Sequence, residues 1–393
     1  MFGAIYVGLS GLNAYSRGLQ QVSGNVANIN TTGFKSSNVS FTDTVSGATN
    51  GGLSLSGSPA SSGSGVELGG IQRDFAPGEL RQTRRDLDLA IEGTGYLVLN
   101  RGDQTFYTRT GSFEVDKDGF VVLAGTDYRL ATLDSSGRAV SLSIDASRTS
   151  PPEKTTTIKF ADNLSSTATS FGLSDIRVFD AVGTEHKWQA KFTKAVDAPP
   201  GEWTVTVTDD KATTIGTQTL KFNLGTVDPA SSKLVFADAD NGLSVTLDFS
   251  RNVTSFSSGE VSTLRTASVD GHGIGTITSV TVNAEGELEL GYSNEQKKSL
   301  GAVAIADFRD PQSLEERSGG LYFDKGNSGR ELMSSASQKV GKVVSHRLEA
   351  SNVDLAKQFG DLITIQRGYQ ASSQIISVAN EMIQQLFGIR GQG

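Results

Sequence analysis

The sequence predicts a multidomain α+β protein in which long helices at the two ends of the chain pair as a coiled coil, with mainly antiparallel β-domains between them. Apolar residues recur at every seventh position near each end, and no proline interrupts either run. The middle of the chain instead alternates apolar and polar residues between turns, as half-buried antiparallel strands do. The 45 glycines, with abundant serine and threonine, also favour β-domains rich in turns.

The C-terminal helix is predicted from Ser351 to about Phe387. Ser351 and Asp354 have the spacing of a helix start, with a side-chain acceptor followed by an acid three residues later. A helix of this length would be roughly 50 Å long, so it cannot bury an apolar stripe against itself and needs a partner helix. The predicted contact positions are Leu355, Phe359, Leu362, Tyr369, Ile376, Ile383 and Leu386.

The partner is predicted at the other end of the chain, over residues 1–30. Its contact positions are Ile5, Leu9, Leu12, Leu19 and Val26. Apolar helices at both termini favour a hairpin in which the first and last segments pack together. A two-helix coiled coil that closes an ordinary globular protein is the simpler interpretation. Against it, residues 1–42 contain only two charges, Arg17 and Lys35. A helix uncharged on all sides is normally covered on all sides, so we expect other subunits to supply the missing cover.

Composition excludes several function classes. A formal net charge of −8 argues against nucleic acid or an anionic membrane as the main partner. No stretch approaches the apolar length that a transmembrane helix requires. There are no cysteines, so packing and assembly must hold the protein together. The N-terminus lacks the positive region and cleavage site of a signal peptide, so export, if it occurs, is expected to use another route.

Several motifs in matching order resemble the bacterial flagellar rod and hook axial protein family. The N-terminal signature follows Gly8-Leu-Ser-Gly-Leu-Asn13, and its motif residues are Ala27, Asn28, Asn30, Thr31, Gly33, Phe34 and Lys35. The C-terminal signature is similar in Ser351-Asn-Val-Asp-Leu355 and Gln366-Arg-Gly-Tyr369-Gln-Ala371. The resemblance continues through residues 87–96 and 108–113, and therefore covers both termini and the first β-domain.

The resemblance implies a structural subunit that polymerises into a helical tube, with its helices in the inner layer. Its expected partners are copies of itself, the flagellar rod, the hook cap, the hook–filament junction proteins and the type III export apparatus with its chaperone-like gate. The expected location is the extracellular hook, where the tube would act as a flexible, torque-transmitting universal joint. A distal rod subunit, which would share every terminal motif, is the alternative. The large second β-domain favours the hook, because rod relatives are generally shorter.

The predicted domain layout is nested, and the nesting rests on the resemblance. Residues 1–35 and 345–393 form the helical core, and residues 36–70 and 331–344 form extended connectors. Residues 71–148 and 269–330 form the first β-domain, into which residues 149–268 are inserted as a second. A hairpin is predicted over Phe113–Leu123, with its turn at Asp118-Gly119, because Asp-Gly favours tight hairpin turns.

No catalytic constellation is apparent, so neither an enzyme nor a cofactor is predicted. Asp116-Lys-Asp118-Gly119 and Asp238-Ala-Asp240-Asn241-Gly242 weakly resemble calcium loops, but they lack the full ligand spacing and are better interpreted as turns. The three histidines lie in different segments without cysteine or clustered acids, which supports neither a metal site nor a nucleophilic triad. A glycan-binding adhesin is a further alternative, and it would need clustered exposed aromatic residues.

A possible hinge between the β-domains is predicted at Pro151, Pro152, Gly271 and Gly273. Glycine adopts many backbone angles and proline stiffens the facing strand, a combination that suits limited rotation. A fixed linker, whose glycines only permit a tight turn, is the equally good alternative. The uncharged termini also predict that both helices are disordered in the monomer and form on assembly.

Overall fold

The computed structural model describes residues 2–43, 65–194, 199–337 and 339–390, and the chain divides into two compact units. The first unit comprises Met1–Asp145, Val280–Glu289 and Ser299–Gly393, and the second comprises Ala146–Ser279 and Leu290–Lys298. Among the described residues there are two long α-helices, one at each end of the chain, and a large β-rich body. The fold class predicted from the sequence is correct at this level.

The two helices are α1, Phe2–Ala27, and α2, Leu355–Arg390. At the start of α2 the side chain of Asp354 accepts hydrogen bonds from the N–H groups of Ala356 (2.8 Å) and Lys357 (3.2 Å). Asp354 therefore caps the helix, and the predicted role of Ser351 is wrong. At 3.4 Å, the Ser351 hydroxyl accepts from the Val353 N–H, which lies three residues before the first N–H group that Asp354 caps. A capping carboxylate also complements the positive end of the helix dipole.

The first unit contains an 11-stranded sheet. Nine strands form its main path, in the spatial order Glu315–Arg317, Leu321–Phe323, Gln104–Thr108, Tyr96–Arg101, Arg129–Leu130, Val121–Leu123, Thr110–Val115, Asp88–Gly93 and Gly341–Val344. Ala304–Phe308 pairs with both Tyr96–Arg101 and Arg330–Ser334. The predicted hairpin is confirmed, since Phe113 is paired with Leu123 and Val115 with Val121.

One predicted connector is wrong. Residues 331–344 are not an extended connector, because Arg330–Ser334 and Gly341–Val344 each pair with a strand of this sheet. In the other predicted connector, residues 36–70, the strand Ser37–Asp43 pairs antiparallel with Val66–Arg73. Residues 44–64 lie outside the described residues. A second two-stranded sheet joins Leu80–Gln82 to Arg347–Glu349, directly before α2.

The second unit is built around a 10-stranded sheet that encloses one apolar core. Its main path runs Ser170–Phe179, Glu185–Thr193, Glu202–Thr208, Thr214–Asn223, Thr226–Val227, Val253–Thr254, Thr157–Asn163, Leu243–Asp248 and Lys233–Asp238, and Arg265–Val269 pairs with Thr157–Asn163. The alternation predicted around Trp203–Val207 and Leu243–Phe249 is observed: the apolar residues of both strands are buried and the residues between them are more exposed. Trp188 and Trp203 are both fully buried in this core.

The boundaries of the second unit differ from the predicted range of 149–268. Residues 269–279 and 290–298 also belong to it, because the strands Thr149–Ser150 and Gly275–Val282 are paired. The remaining elements are short or lie in smaller sheets. They are the strands Thr132–Leu133, Ala139–Val140, Glu287–Tyr292 and Lys297–Ala302 and the 3₁₀ turns Asp145–Ser147, Pro229–Ser231 and Pro311–Ser313.

Candidate assembly surface on the terminal helices

The helices α1 and α2 pack against each other in antiparallel directions. A Cβ atom added to Gly8 would contact Ile376, one added to Gly11 would contact Ser372, and one added to Gly18 would contact Ile365. The contact on α2 therefore moves toward its N-terminus as the contact on α1 moves toward its C-terminus. The two ends of the chain pack as a helical hairpin, as the sequence predicts.

Glycine sets how closely the two helices approach. An added Cβ would lie 2.7 Å from Ile376 Cγ1 at Gly8 and 2.5 Å from Ser372 Oγ at Gly11. On α2, a Cβ added to Gly368 would lie 2.5 Å from the ring of Tyr15. The buried positions of α2 are Gln358, Ile365, Ser372 and Ala379, which are seven residues apart. The contact seam therefore has the predicted period but consists largely of small and polar residues.

The residues predicted for the seam divide into two groups. Half-buried positions are Ile5, Leu12, Leu19, Val26, Leu362, Ile376 and Ile383. Exposed positions are Leu9, Leu355, Phe359 and Tyr369, and the side chain of Leu386 lies outside the described residues. The exposed group is displaced from the contact because the two helices face each other through the glycines. The sequence-based list of contact positions did not include these glycines, although their spacing carried the signal.

Both helices expose large apolar side chains to solvent. On α1 these include Tyr6 and Leu9, at 66% and 59% exposure. On α2 they include Leu355, Phe359, Ile363, Tyr369, Ile375, Val378, Met382 and Phe387. A soluble monomer rarely exposes so many large apolar residues on one element, so such a surface indicates contact with another molecule.

The family-motif residues form the turn that follows α1. Asn28 ends the helix by donating from Nδ2 to the Gly24 carbonyl (2.9 Å), and the Thr31 hydroxyl donates to Asn28 Oδ1 (3.0 Å). Ala27, Asn30 and Thr31 are exposed, Phe34 is half-buried, and Gly33 has a φ of 71° that favours glycine.

Lys35, the last motif residue, is fully buried in an ionic cluster. Its ammonium lies 2.5 Å from Glu349 Oε1 and donates to the Ala76 carbonyl at 2.7 Å. Arg109 Nε lies 3.1 Å from Glu349 Oε2, and the side chains of Arg109 and Glu349 are also buried. Burial lowers the pKa of Lys35 from its ordinary value, and the adjacent Glu349 carboxylate opposes that shift. Sequence reasoning missed Glu349, and it included Arg109 only within the matching range 108–113, because nothing in the local pattern marks either residue as buried.

A second polar contact joins the bases of the two helices. The buried side chain of Asn25 donates to Gln358 Oε1 (2.9 Å) and to the Ser37 carbonyl (2.8 Å), and it accepts from the Ser37 N–H (3.0 Å). Asn352 accepts from the Ser36 N–H at 2.7 Å. The polar groups between the helix bases are therefore well hydrogen-bonded, as buried polar groups usually are.

The residues of the predicted hinge lie within the second unit. Glu153 and His272 exchange backbone hydrogen bonds of 2.8 and 2.9 Å, so the segments after Pro152 and around Gly271 are paired. A Cβ added to Gly271 would lie 2.3 Å from Thr155 Oγ1, so this glycine permits a close approach of two chain segments. These contacts are those of the fixed-linker alternative, and the hinge stays a prediction.

The two calcium-like loops have internal hydrogen bonds of the kind that hairpin turns make. Asp116 accepts from the Phe120 N–H (2.7 Å), and Asp238 accepts from the Asn241 side chain (2.8 Å). The described parts of the chain contain no group of three or more His, Cys, Asp or Glu side chains placed to hold a metal ion. Within the same residues, neither helix has the length and apolar content needed to cross a bilayer.

Four family models match the chain in order. They are the flagella basal body rod protein (residues 5–35), the flagellar hook protein FlgE/F/G D1 domain (90–163), the flagellar basal body protein FlaE D2 domain (143–272) and the flagellar basal body rod FlgEFG protein C-terminal model (344–389). Together these matches include both helices, much of the first sheet and most of the second unit.

Similar proteins cover almost the whole chain. The flagellar hook protein FlgE of Treponema pallidum is 27% identical over 99% of this chain and 100% of its own length. FlgE of Salmonella typhimurium and FlgE of Escherichia coli are each 29% identical, over 97% of this chain and 98% of their own length. The crystal structure of Helicobacter pylori FlgE2 matches with a TM-score of 0.47 and 14% identity, over 67% of this chain and 98% of that one.

Proposed function

The chain belongs to the flagellar hook protein family as a structural subunit of the bacterial flagellar hook, and we propose that it polymerises through α1 and α2 into a helical tube. The observation that carries the proposal is the set of large apolar side chains that both helices expose, which a single copy does not cover. Neighbouring copies of the same helices supply matching apolar side chains for this surface. Burying such a surface is the main favourable term in most protein association.

Several finer features belong to this proposal. The helices pair as a coiled coil in the inner layer of the tube, and the second β-unit is an insertion in the first. The tube bends while it transmits torque, and thereby acts as a universal joint. Its remaining partners are the rod, the hook cap, the hook–filament junction proteins and the type III export apparatus. The nested order of the two units along the chain and the family resemblance support these features.

The alternative functions are less well supported. Hook proteins align with 97–99% of the chain, and the D2 model covers residues 143–272, so a rod subunit is not favoured. The adhesin hypothesis needs clustered exposed aromatic residues on the β-domains, but the two tryptophans there, Trp188 and Trp203, are fully buried.

The test is to remove exposed apolar area from α2 and measure polymerisation. Phe359 and Ile363 are 53% and 52% exposed, so replacing both with serine leaves the folded chain with few lost contacts. Full burial of such a side chain contributes about 1.5–3 kcal/mol, and about half of that remains for a half-exposed one, so the critical concentration should rise about 4- to 13-fold per residue.

The matched control is Val235→Ser, which removes a 50% exposed apolar side chain from the second unit. This variant should polymerise at the wild-type concentration. Electron microscopy of the pelleted material should show tubes for the wild type and for the control. If the Phe359→Ser/Ile363→Ser chain forms tubes at the wild-type concentration, the α2 surface is not an assembly surface.

A further inference from the structure

Three buried charged residues from three separate parts of the first unit meet at the base of the helix pair. Lys35 follows the turn after α1, Glu349 ends the strand before α2, and Arg109 lies between two strands of the sheet. Glu349 Oε1 also accepts from the Gly78 N–H at 2.8 Å, and Arg109 donates to the Gly93 and Gly95 carbonyls. Each charged group therefore has charged or backbone partners, which a buried ion requires.

The backbone is fixed at the same place. The Gly33 N–H donates to the Glu349 carbonyl (2.8 Å), and the Glu349 N–H donates to Thr110 Oγ1 (3.1 Å). Only the short segments 28–34 and 350–354 separate this cluster from the ends of α1 and α2. The end of α1 and the start of α2 are therefore both attached closely to this hydrogen-bonded cluster.

The seam between the helices does not select its own alignment strongly. Gly11 and Gly18 on α1 are seven residues apart, as are Ile365, Ser372 and Ala379 on α2. A slip of one heptad, about 10.5 Å along the axis, would place small residues opposite small or medium ones again. Tyr15 against Gly368 and Ile376 against Gly8 oppose such a slip by size, but the other seam positions do not.

We propose that Lys35, Glu349 and Arg109, together with the Asn25–Gln358 hydrogen bond, set the register in which α1 lies on α2. With Lys35 held on Glu349, a slip must be absorbed by two short segments that are themselves hydrogen-bonded. It would also leave Asn25 and Gln358 buried without each other. A buried polar residue specifies register in coiled coils by the same mechanism. The proposal rests on the proposed function only in that the register decides which apolar residues face the next copy.

Engineered disulfides can report the register, because the natural chain contains no cysteine. A Cβ at position 11 would lie 3.3 Å from Ser372 Cβ, close to the separation of a disulfide. Gly11→Cys with Ser372→Cys therefore reports the observed register. Gly11→Cys with Ile365→Cys, or with Ala379→Cys, reports a slip of one heptad in either direction. Each pair is oxidised in the full-length chain, and intrachain and interchain products are separated by size under denaturing conditions.

The perturbation is Lys35→Met, which removes the link to α1 and leaves Glu349 and Arg109 paired. We expect the ratio of observed-register to slipped-register crosslinks to fall at least tenfold. Glu349→Gln, which leaves two buried cations without an anion, should lower it further. The control is Lys342→Met, because Lys342 forms an exposed pair with Glu92 at 3.8 Å and should leave the ratio unchanged. Hydrogen exchange of Tyr96–Arg101 then verifies that the sheet remains folded in every variant.

The possible outcomes separate the two proposals. An unchanged ratio in Lys35→Met, with the sheet intact, would overturn the register proposal. A wild-type chain that crosslinks 11 with 365 or 379 as readily as with 372 would overturn it too. Tubes formed by the Phe359→Ser/Ile363→Ser chain at the wild-type concentration, together with the expected fall of the ratio in Lys35→Met, would overturn the assembly surface alone.

Discussion

The contact of Gly368 with Tyr15 allows the helix packing to be tested with a single methyl group. In Gly368→Ala the new Cβ would lie 2.5, 2.6 and 2.8 Å from three atoms of the Tyr15 ring. The ring cannot yield as the end of a flexible chain would, so the helices must separate or the ring must leave the seam. Overpacking of this kind costs about 1–3 kcal/mol.

Gly360→Ala is the matched control on the same helix. An added Cβ at Gly360 has nothing within 4 Å in the chain, so this variant gains only the helix propensity of alanine, about 1 kcal/mol. Gly368→Ala gains the same propensity, and therefore the two variants differ by the overpacking cost alone. At 1.4 kcal/mol per factor of ten, the critical concentrations for polymerisation should differ by about 5- to 150-fold.

The assay is sedimentation of polymer at graded protein concentrations, with tryptophan fluorescence as a check on the second unit. Both tryptophans are buried there, so their emission should be the same in the two variants. Tyr15→Val should restore assembly to Gly368→Ala, because it removes the ring that the methyl group meets. Equal critical concentrations for Gly368→Ala and Gly360→Ala would refute the close helix packing.

Further predictions concern the seam, the monomer, acid stability and the hinge. Ile376→Asp places a carboxylate in the seam beside Gly8 and should abolish polymerisation while tryptophan emission is retained; Ser377→Asp, at an exposed position, serves as its control. In the isolated subunit, limited proteolysis should trim α1 and α2 before the sheets, and ends that resist trimming would contradict assembly-coupled ordering. Burial raises the pKa of Asp270, but hydrogen bonds from Thr156 outweigh this and hold the pKa below its ordinary value of 3.8. Such a carboxylate stabilises the fold above that pH and loses its contribution as the pH falls, so Asp270→Asn should flatten the acid limb of a tryptophan-monitored unfolding curve below about pH 4. For the hinge, subunits compared around a curved hook should differ by a rotation near Gly271, and a single orientation at every position would exclude it.

The periodic features of the sequence predicted the elements, because periodicity reflects a local physical requirement. The heptad spacing located both helices to within a few residues, and Asp118-Gly119 located a hairpin turn. Helix and turn propensities act over a few residues, so a single chain segment contains the information. The motif that ends at Lys35 carried the family resemblance, although it gave no structural reason for the lysine.

The features that sequence reasoning missed depend on distant partners. Glu349 and Arg109 are 240 residues apart, and no local pattern indicates that they meet in the core. The segment 331–344 was predicted as a connector, yet its two strands are paired in the sheet. The strands Arg330–Ser334 and Gly341–Val344 are only five and four residues long and pair with segments distant in the sequence, so they need their partners to be recognised.

The contact between α1 and α2 within one chain is built on glycine, and this leaves the large apolar side chains of both helices available for assembly. The five glycines of α1 each disfavour an isolated helix by about 1 kcal/mol, and a seam of glycine, serine and alanine buries little apolar area in return. The large side chains, such as Tyr6, Phe359 and Ile363, lie outside the seam, where each can contribute about half of the 1.5–3 kcal/mol of full burial against a neighbouring copy. We therefore expect helix formation to be stabilised more by neighbouring copies than by the chain itself. A subunit with this distribution can keep its termini unfolded while it is alone and fold them where the polymer grows.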